Sequence, residues 1–247
     1  MKTSNKLLMA LGIALLVATI VNAWVIKAES RRIINQSVML ETFPIDSITE
    51  VVITGTAPKW ERLQVQISHS DKTTVQHTQH DFIHISKDGN KLNIAIDHPK
   101  DYEYKVIAPP EVMIHCPRLT RFSMVGTPLD SLDLPEDTHI MTRRNYARSV
   151  VKLSGLRGDR LELFVSNGAE LTLTDTNVDS LHAAAGAFGK LIIDGNTADY
   201  AYLRAGKDGE IEATNPKANI LRTHIDPEGE LIMKMKGTDA TIKRDTL

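Results

Sequence analysis

Apolar residues return at a fixed interval along the second half of the chain. Residues 160–239 divide into four successive 20-residue blocks, 160–179, 180–199, 200–219 and 220–239, with no insertion between them. The second residue of each is Leu161, Leu181, Ala201 and Leu221, and the sixth is Val165, Ala185, Ala205 and Ile225. The twelfth is Leu171, Leu191, Ile211 and Leu231, and the fourteenth is Leu173, Ile193, Ala213 and Met233. Apolar positions two apart predict strands, because strand side chains alternate between faces. Each block therefore holds two short strands, at positions two to six and eleven to fifteen. Equivalent positions would stack on neighbouring blocks about 4.8 Å away. A period near 20 residues with short strands predicts one turn of a parallel solenoid per block.

The residues between those strands are turn formers: Asn167-Gly168, Gly186, Gly189, Asp208-Gly209 and Pro227-Glu228-Gly229. Position twenty is Asp179, Asp199, Asn219 and Asp239, with Asp159 one block earlier, and is expected at a corner where Asx side chains cap their own turn. Val151 and Leu153 match Leu171 and Leu173, so residues 140–159 read as a fifth rung. Leu132 and Leu134 fall one residue out of step beside Pro135, and Leu119, Phe122 and Met124 begin the stack. The end of the chain is too short and charged for a full turn, so Lys243, Arg244 and Asp245 are expected to guard an exposed edge.

Earlier residues alternate without the period. Strands are expected over 49–56, 63–68, 82–86, 91–97 and 104–108, with Asp88-Gly89 marking a hairpin between the third and fourth. Residues 7–26 carry no charge and follow Lys2 and Lys6. Such a run is long enough to cross a hydrocarbon core of about 30 Å. It reads as a retained transmembrane signal anchor or as a signal peptide cleaved near Ala23, and its length favours the anchor. The expected organisation is a short cytoplasmic end over 1–6, the anchor over 7–26 and a linker over 27–40. An irregular β region or first rungs then fill 41–115, and regular rungs fill 116–247. The main domain would lie in the periplasm, tethered to the inner membrane, or be secreted or surface-exposed after cleavage.

Net charge is −2 over 247 residues, and no basic stripe is interleaved with aromatics, so nucleic acid is not an expected partner. The lone Cys116 excludes an intramolecular disulfide framework and reads as a small buried hydrophobe.

Three stretches carry a family resemblance when taken in order. Glu50-Val51-Val52-Ile53-Thr54-Gly55 comes first, then Gly89-Asn90-Lys91-Leu92-Asn93-Ile94, then Val106-Ile107-Ala108-Pro109 leading to Pro117-Arg118-Leu119. Ahead of periodic rungs, this order resembles the auto-transporter adhesin head domain family, also called the head GIN domain. That family occurs in bacterial envelope proteins, notably of the Bacteroidetes. The resemblance covers residues 43–243 and implies a right-handed parallel β-helix, here preceded by one transmembrane helix. It implies an adhesin-like role and supplies no catalytic residues.

Position three of the blocks gives an outward column, Glu162, His182, Tyr202 and Arg222, which is the expected binding face. His77, His80 and His84 have metal-ligand spacing for a helix, but their surroundings read as turn and strand, where the three would diverge. The acidic column at position twenty could collect Ca²⁺, although Asx turns account for the same residues. The expected function is non-catalytic binding of protein or glycan partners at the envelope, without a cofactor. The alternatives are a polysaccharide lyase or hydrolase on one outer face, and an accessory or sensor subunit of an envelope complex; a hydrolase would need paired carboxylates, and a lyase a base with a charge-neutralising cation or metal.

Overall fold

The computed structural model describes residues 19–27, 40–56, 62–97, 110–127, 149–235 and 238–243, with 235 and 238–243 as backbone only. The chain divides into two compact units. In the first, residues 19–27 form a helix. Residues 40–104 and 109–247 make the second, which holds every strand described below.

Strands β1 (Leu40–Phe43), β3 (Gln64–His69), β4 (Thr74–Thr78), β7 (Glu111–Cys116), β9 (Val150–Ser154), β11 (Glu170–Thr174), β13 (Lys190–Asp194), β15 (Glu210–Thr214), β17 (Glu230–Met235) and β18 (Thr238–Lys243) form a ten-stranded first sheet. Strands β2 (Glu50–Thr56), β5 (Ile83–Asp88), β6 (Lys91–Asp97), β8 (Arg121–Val125), β10 (Arg157–Ser166), β12 (Asn177–Ala185), β14 (Thr197–Ala205) and β16 (Lys217–Ile225) form an eight-stranded second sheet. The inward faces of both contribute to one apolar core.

In the second half of the chain, strands pair in parallel with those 20 residues away. Leu161 faces Leu181, Leu181 faces Ala201, and Ala201 faces Leu221 in the second sheet. Leu171, Leu191, Ile211 and Leu231 form the matching row in the first. A one-residue slip would turn every buried side chain outward, so the alternating pattern pins this register. The corners between sheets are built by a column of left-handed residues, Gly155, Asp175, Gly195 and Asn215, with φ between 47° and 65°. Glycine and Asx residues adopt that conformation at the least cost.

The expected right-handed parallel β-helix of uniform rungs is not what the chain builds. Both sheets are mixed, and no closed solenoid forms among the described residues. Antiparallel pairs join β1 to β4, β4 to β7, β5 to β6, and β17 to β18. Strand order also departs from chain order: β2 lies between β6 and β8, and β3 between β7 and β9. The reason lies in the connections. Only Gly89 and Asn90 separate β5 from β6, and two residues separate β17 from β18. A link that short joins antiparallel neighbours alone, whereas a parallel partner needs a long crossover.

The expected membrane-crossing helix is corrected as well. Among the described residues no helix is long and apolar enough to cross a membrane. Residues 7–18 of the expected span lie outside the described ones, as do residues 98–109, with the strand expected over 104–108. Residues 128–148, with Leu132, Leu134 and Pro135, also lie outside them. The position-twenty Asx residues differ too. Asp179, Asp199 and Asn219 sit within β12, β14 and β16 and not at corners, because these strands begin four residues earlier than the apolar pattern suggests.

Candidate functional site: the outer face of the second sheet

The parallel register brings the expected column together. Glu162 faces His182, His182 faces Tyr202, and Tyr202 faces Arg222 on four adjacent strands. All lie outward because their neighbours Leu161, Leu163, Leu181, Ala183, Ala201 and Leu203 fill the core. The row continues beyond Glu162 to Arg121 on β8 and Glu50 on β2.

Arg121 is the hinge of the local electrostatics. Its Nε donates to Glu162 Oε2 at 2.8 Å, and its Nη1 lies 4.0 Å from Glu50 Oε1. Arg160 also pairs with Glu162. Burial pushes the Glu162 carboxyl upward, but the Arg121 hydrogen bond and the charges of Arg121, Arg160 and His182 outweigh it. Glu162 therefore titrates below its ordinary value and is ionised at neutral pH. Farther along the face, the Arg204 hydrogen bond holds Asp226 below the usual aspartate value, aided by His224.

Aromatic rings occupy the middle. The His182 ring lies 5.6 Å from that of Tyr200 and 6.0 Å from that of Tyr202, and the Arg222 guanidinium lies 6.0 Å from the Tyr200 ring centroid. Phe164 is outward and 39% exposed. Its partner on β12 is Ala184, whose own partner on β14 is Arg204. The small Ala184 between two long side chains leaves a shallow basin of about 400 Å³, walled by Arg121, Glu162, His182, Tyr202 and Arg204. The apolar ring, tyrosine and guanidinium groups suit contact with a partner that mixes apolar faces and hydroxyl groups.

Arg121, Phe164 and Tyr200 were not part of the expected column. Phe164 and Tyr200 occupy block positions five and one, which share its face, so the period contains the signal. Arg121 precedes the clean blocks and is found only through strand pairing.

The histidine trio does not converge. His77 is on β4 of the first sheet, His84 on β5 of the second, and His80 in the segment between them. The His77 ring nitrogen Nδ1 lies 3.1 Å from the Thr78 carbonyl oxygen, and the His80 ring lies 5.2 Å from that of Phe82. Among the described residues no group of His, Cys, Asp and Glu is arranged to hold a metal ion. The acidic column is a strand ladder in which Asn219 Nδ2 donates to Asp199 Oδ1 at 2.9 Å. Cys116 is fully buried, and burial pushes its thiol up to about 11, so it is a packing residue.

No family model matches the chain, and no curated protein matches it. Among solved structures it is similar to a putative adhesin from Bacteroides fragilis, at 12% identity and a TM-score of 0.40, covering 80% of this chain and 95% of that one. A putative adhesin from Parabacteroides distasonis aligns at 16% identity and a TM-score of 0.40, over 81% and 94% of the two chains. A putative lipid binding protein from the same organism aligns at 13% identity and a TM-score of 0.34, over 80% and 96%. Two of the three share the adhesin name with the family that the sequence resembles, and none carries the head GIN domain name. At such identities and scores the case for function rests on the site itself.

Proposed function

We propose that the protein is a non-catalytic binding module that takes a glycan partner on the outer face of its second sheet. The observation that carries this reading is the open basin over Phe164 and Ala184, bordered by Tyr202, His182, Arg121 and Arg204. Sugar rings stack on aromatic faces, and guanidinium groups donate to ring hydroxyls in fixed directions. Repeating strands extend the same surface, so a chain of sugar units meets successive rows instead of one deep pocket.

The electrostatics support binding over cleavage. Glycoside hydrolysis needs one carboxyl kept protonated and a second about 5 to 9.5 Å away. Glu162 is held ionised by Arg121. Glu50, the other carboxylate of the row, is two strands away, or about 9.6 Å by strand spacing, with the Arg121 side chain between them. Glu162, held ionised, does not serve as the proton donor.

The test is a screen of the full chain on glycan arrays, with products analysed from the same wells. Saturable retention without new products, reduced about tenfold or more by Tyr202→Ala, is the expected result. Depolymerised glycan that disappears in a Glu162→Gln variant would make the protein an enzyme. Retention of envelope proteins with no glycan signal would replace the glycan by a protein partner. We also propose that the sheet unit acts outside the cytoplasm, because the uncharged run over 7–26 has the composition of an export signal. An alkaline phosphatase fusion after residue 247 should be active if so, and its inactivity would refute export.

A further inference from the structure

We infer that the outer face of the first sheet carries a second, separate site that binds an acidic sugar, a ring bearing a carboxylate, sulfate or phosphate group. Across β7, β3, β9 and β11 the outward residues form two rows. His115, Ser68, Ser154 and Thr174 stand in one, and Lys152 and Thr172 in the other. Their short hydroxyl side chains leave a groove of about 440 Å³. That volume lies within the range of small-molecule sites and well beyond a bare oxyanion. The Met113 side chain supplies an apolar wall against which a sugar ring can lie.

The groove is built of donors. Ser68 Oγ and His115 Nδ1 lie 2.7 Å apart, so each fixes the other, and either direction of that bond leaves one donor of the pair for a ligand. Ser154 and Thr172 add hydroxyls, Thr174 adds an oxygen whose proton goes to the Leu153 carbonyl, and Lys152 adds a positive charge. No lining residue is a carboxylate. The nearby Glu111 accepts a hydrogen bond from the Gln66 amide at 3.2 Å.

The contrast along the same face gives the charge argument its force. Lys190 donates to Glu210 at 2.6 Å and lies 3.9 Å from Glu212, and Lys234 pairs with Glu212. Lys152, facing Thr172 on one side and Gln66 on the other, has no acidic partner among the described residues. An ammonium with no carboxylate partner among the described residues, set over a bed of hydroxyls, suits an anionic ligand. The site is independent of the basin on the second sheet and stands or falls apart from it.

Calorimetric titration of the full chain with glucuronate, glucose 6-sulfate and glucose 6-phosphate tests the assignment, with glucose and inorganic sulfate as comparisons. At least one acidic sugar should bind saturably, and Lys152→Gln should weaken that binding about tenfold or more. Lys152 is exposed, so this variant keeps its fold. Lys190→Gln removes an equal charge from the same face and should leave the affinity unchanged. Saturation by none of the three acidic sugars would overturn the site. Equal affinity for glucose would overturn the role of charge, and equal affinity for inorganic sulfate the role of the ring. An equal loss in both lysine variants would reduce the effect to general surface charge.

Discussion

At the scale of single residues, one tight constraint is a close backbone approach where a strand begins. A Cβ added to Gly209 would stand 2.2 Å from the Ala185 carbonyl oxygen, a contact that only backbone movement can relieve. Gly209→Ala is therefore expected to cost about 2 kcal/mol or more in urea unfolding. Gly155 is the useful comparison, since its φ is +64° but a Cβ there meets nothing within 4 Å. Gly155→Ala should cost about 1 kcal/mol, from backbone conformation alone. The Glu162 carboxylate makes a second residue-scale prediction. Its folded-state pKa is depressed, so its ion pair stabilises the fold above the unfolded glutamate value. That contribution is lost as pH falls through the lower folded value. Both side chains are partly solvated, and the pair contributes at most about 1 kcal/mol. In Arg121→Gln, carboxyl titration followed by NMR should show Glu162 moving back up, and an unmoved Glu162 would remove Arg121 as the cause.

At the scale of elements, neighbouring turns of chain are tied together by one buried amide. Asn196 Oδ1 accepts from the Thr176 backbone N–H at 3.0 Å, and its Nδ2 donates to the Leu173 carbonyl at 3.3 Å. Asn196 is 4% exposed, so water cannot take over these bonds. Asn196→Ala leaves a buried donor and acceptor without partners and should cost about 2 kcal/mol. Thermal unfolding of that variant tests it, and a change within a few tenths of a kcal/mol would show the corner to be self-sufficient. The sequence carries no repeat of this residue, since Thr176 and Pro216 occupy the same block position. The strands themselves were legible, because Leu171, Leu173, Leu191 and Ile193 alternate so plainly. The Asx column was misplaced for a related reason: exposed residues such as Asp179 and Asp199 extend a strand without leaving an apolar mark.

At the scale of the molecule, edges decide behaviour. β18 covers β17 by antiparallel pairing, so its backbone groups at that edge are satisfied. Ending the chain after Met235 should expose them and cause concentration-dependent association, seen by light scattering. A monomeric truncated protein would show that the strand has no protective role. β16, at one end of the second sheet, carries Lys217, Arg222 and His224 beside Ile220, which is 54% exposed. Charged side chains of this kind discourage edge pairing.

Sequence alone determined that the strands between Val150 and Met235 pair in parallel at 20-residue steps, because identical alternation in every block permits a single register. It also determined that Glu162, His182, Tyr202 and Arg222 share a face, since a period of two and a period of 20 place them there together. Tertiary structure alone decided how the aperiodic first half joins. Inserting β2 beside β8 and β3 beside β9 involves residues about 70 to 90 apart in the chain, a separation that leaves no local pattern. The same holds for the outer faces of both sheets in full. Arg121 reaches Glu162, and His115 reaches Ser68 and the groove beside Lys152, only once strands distant in sequence lie side by side.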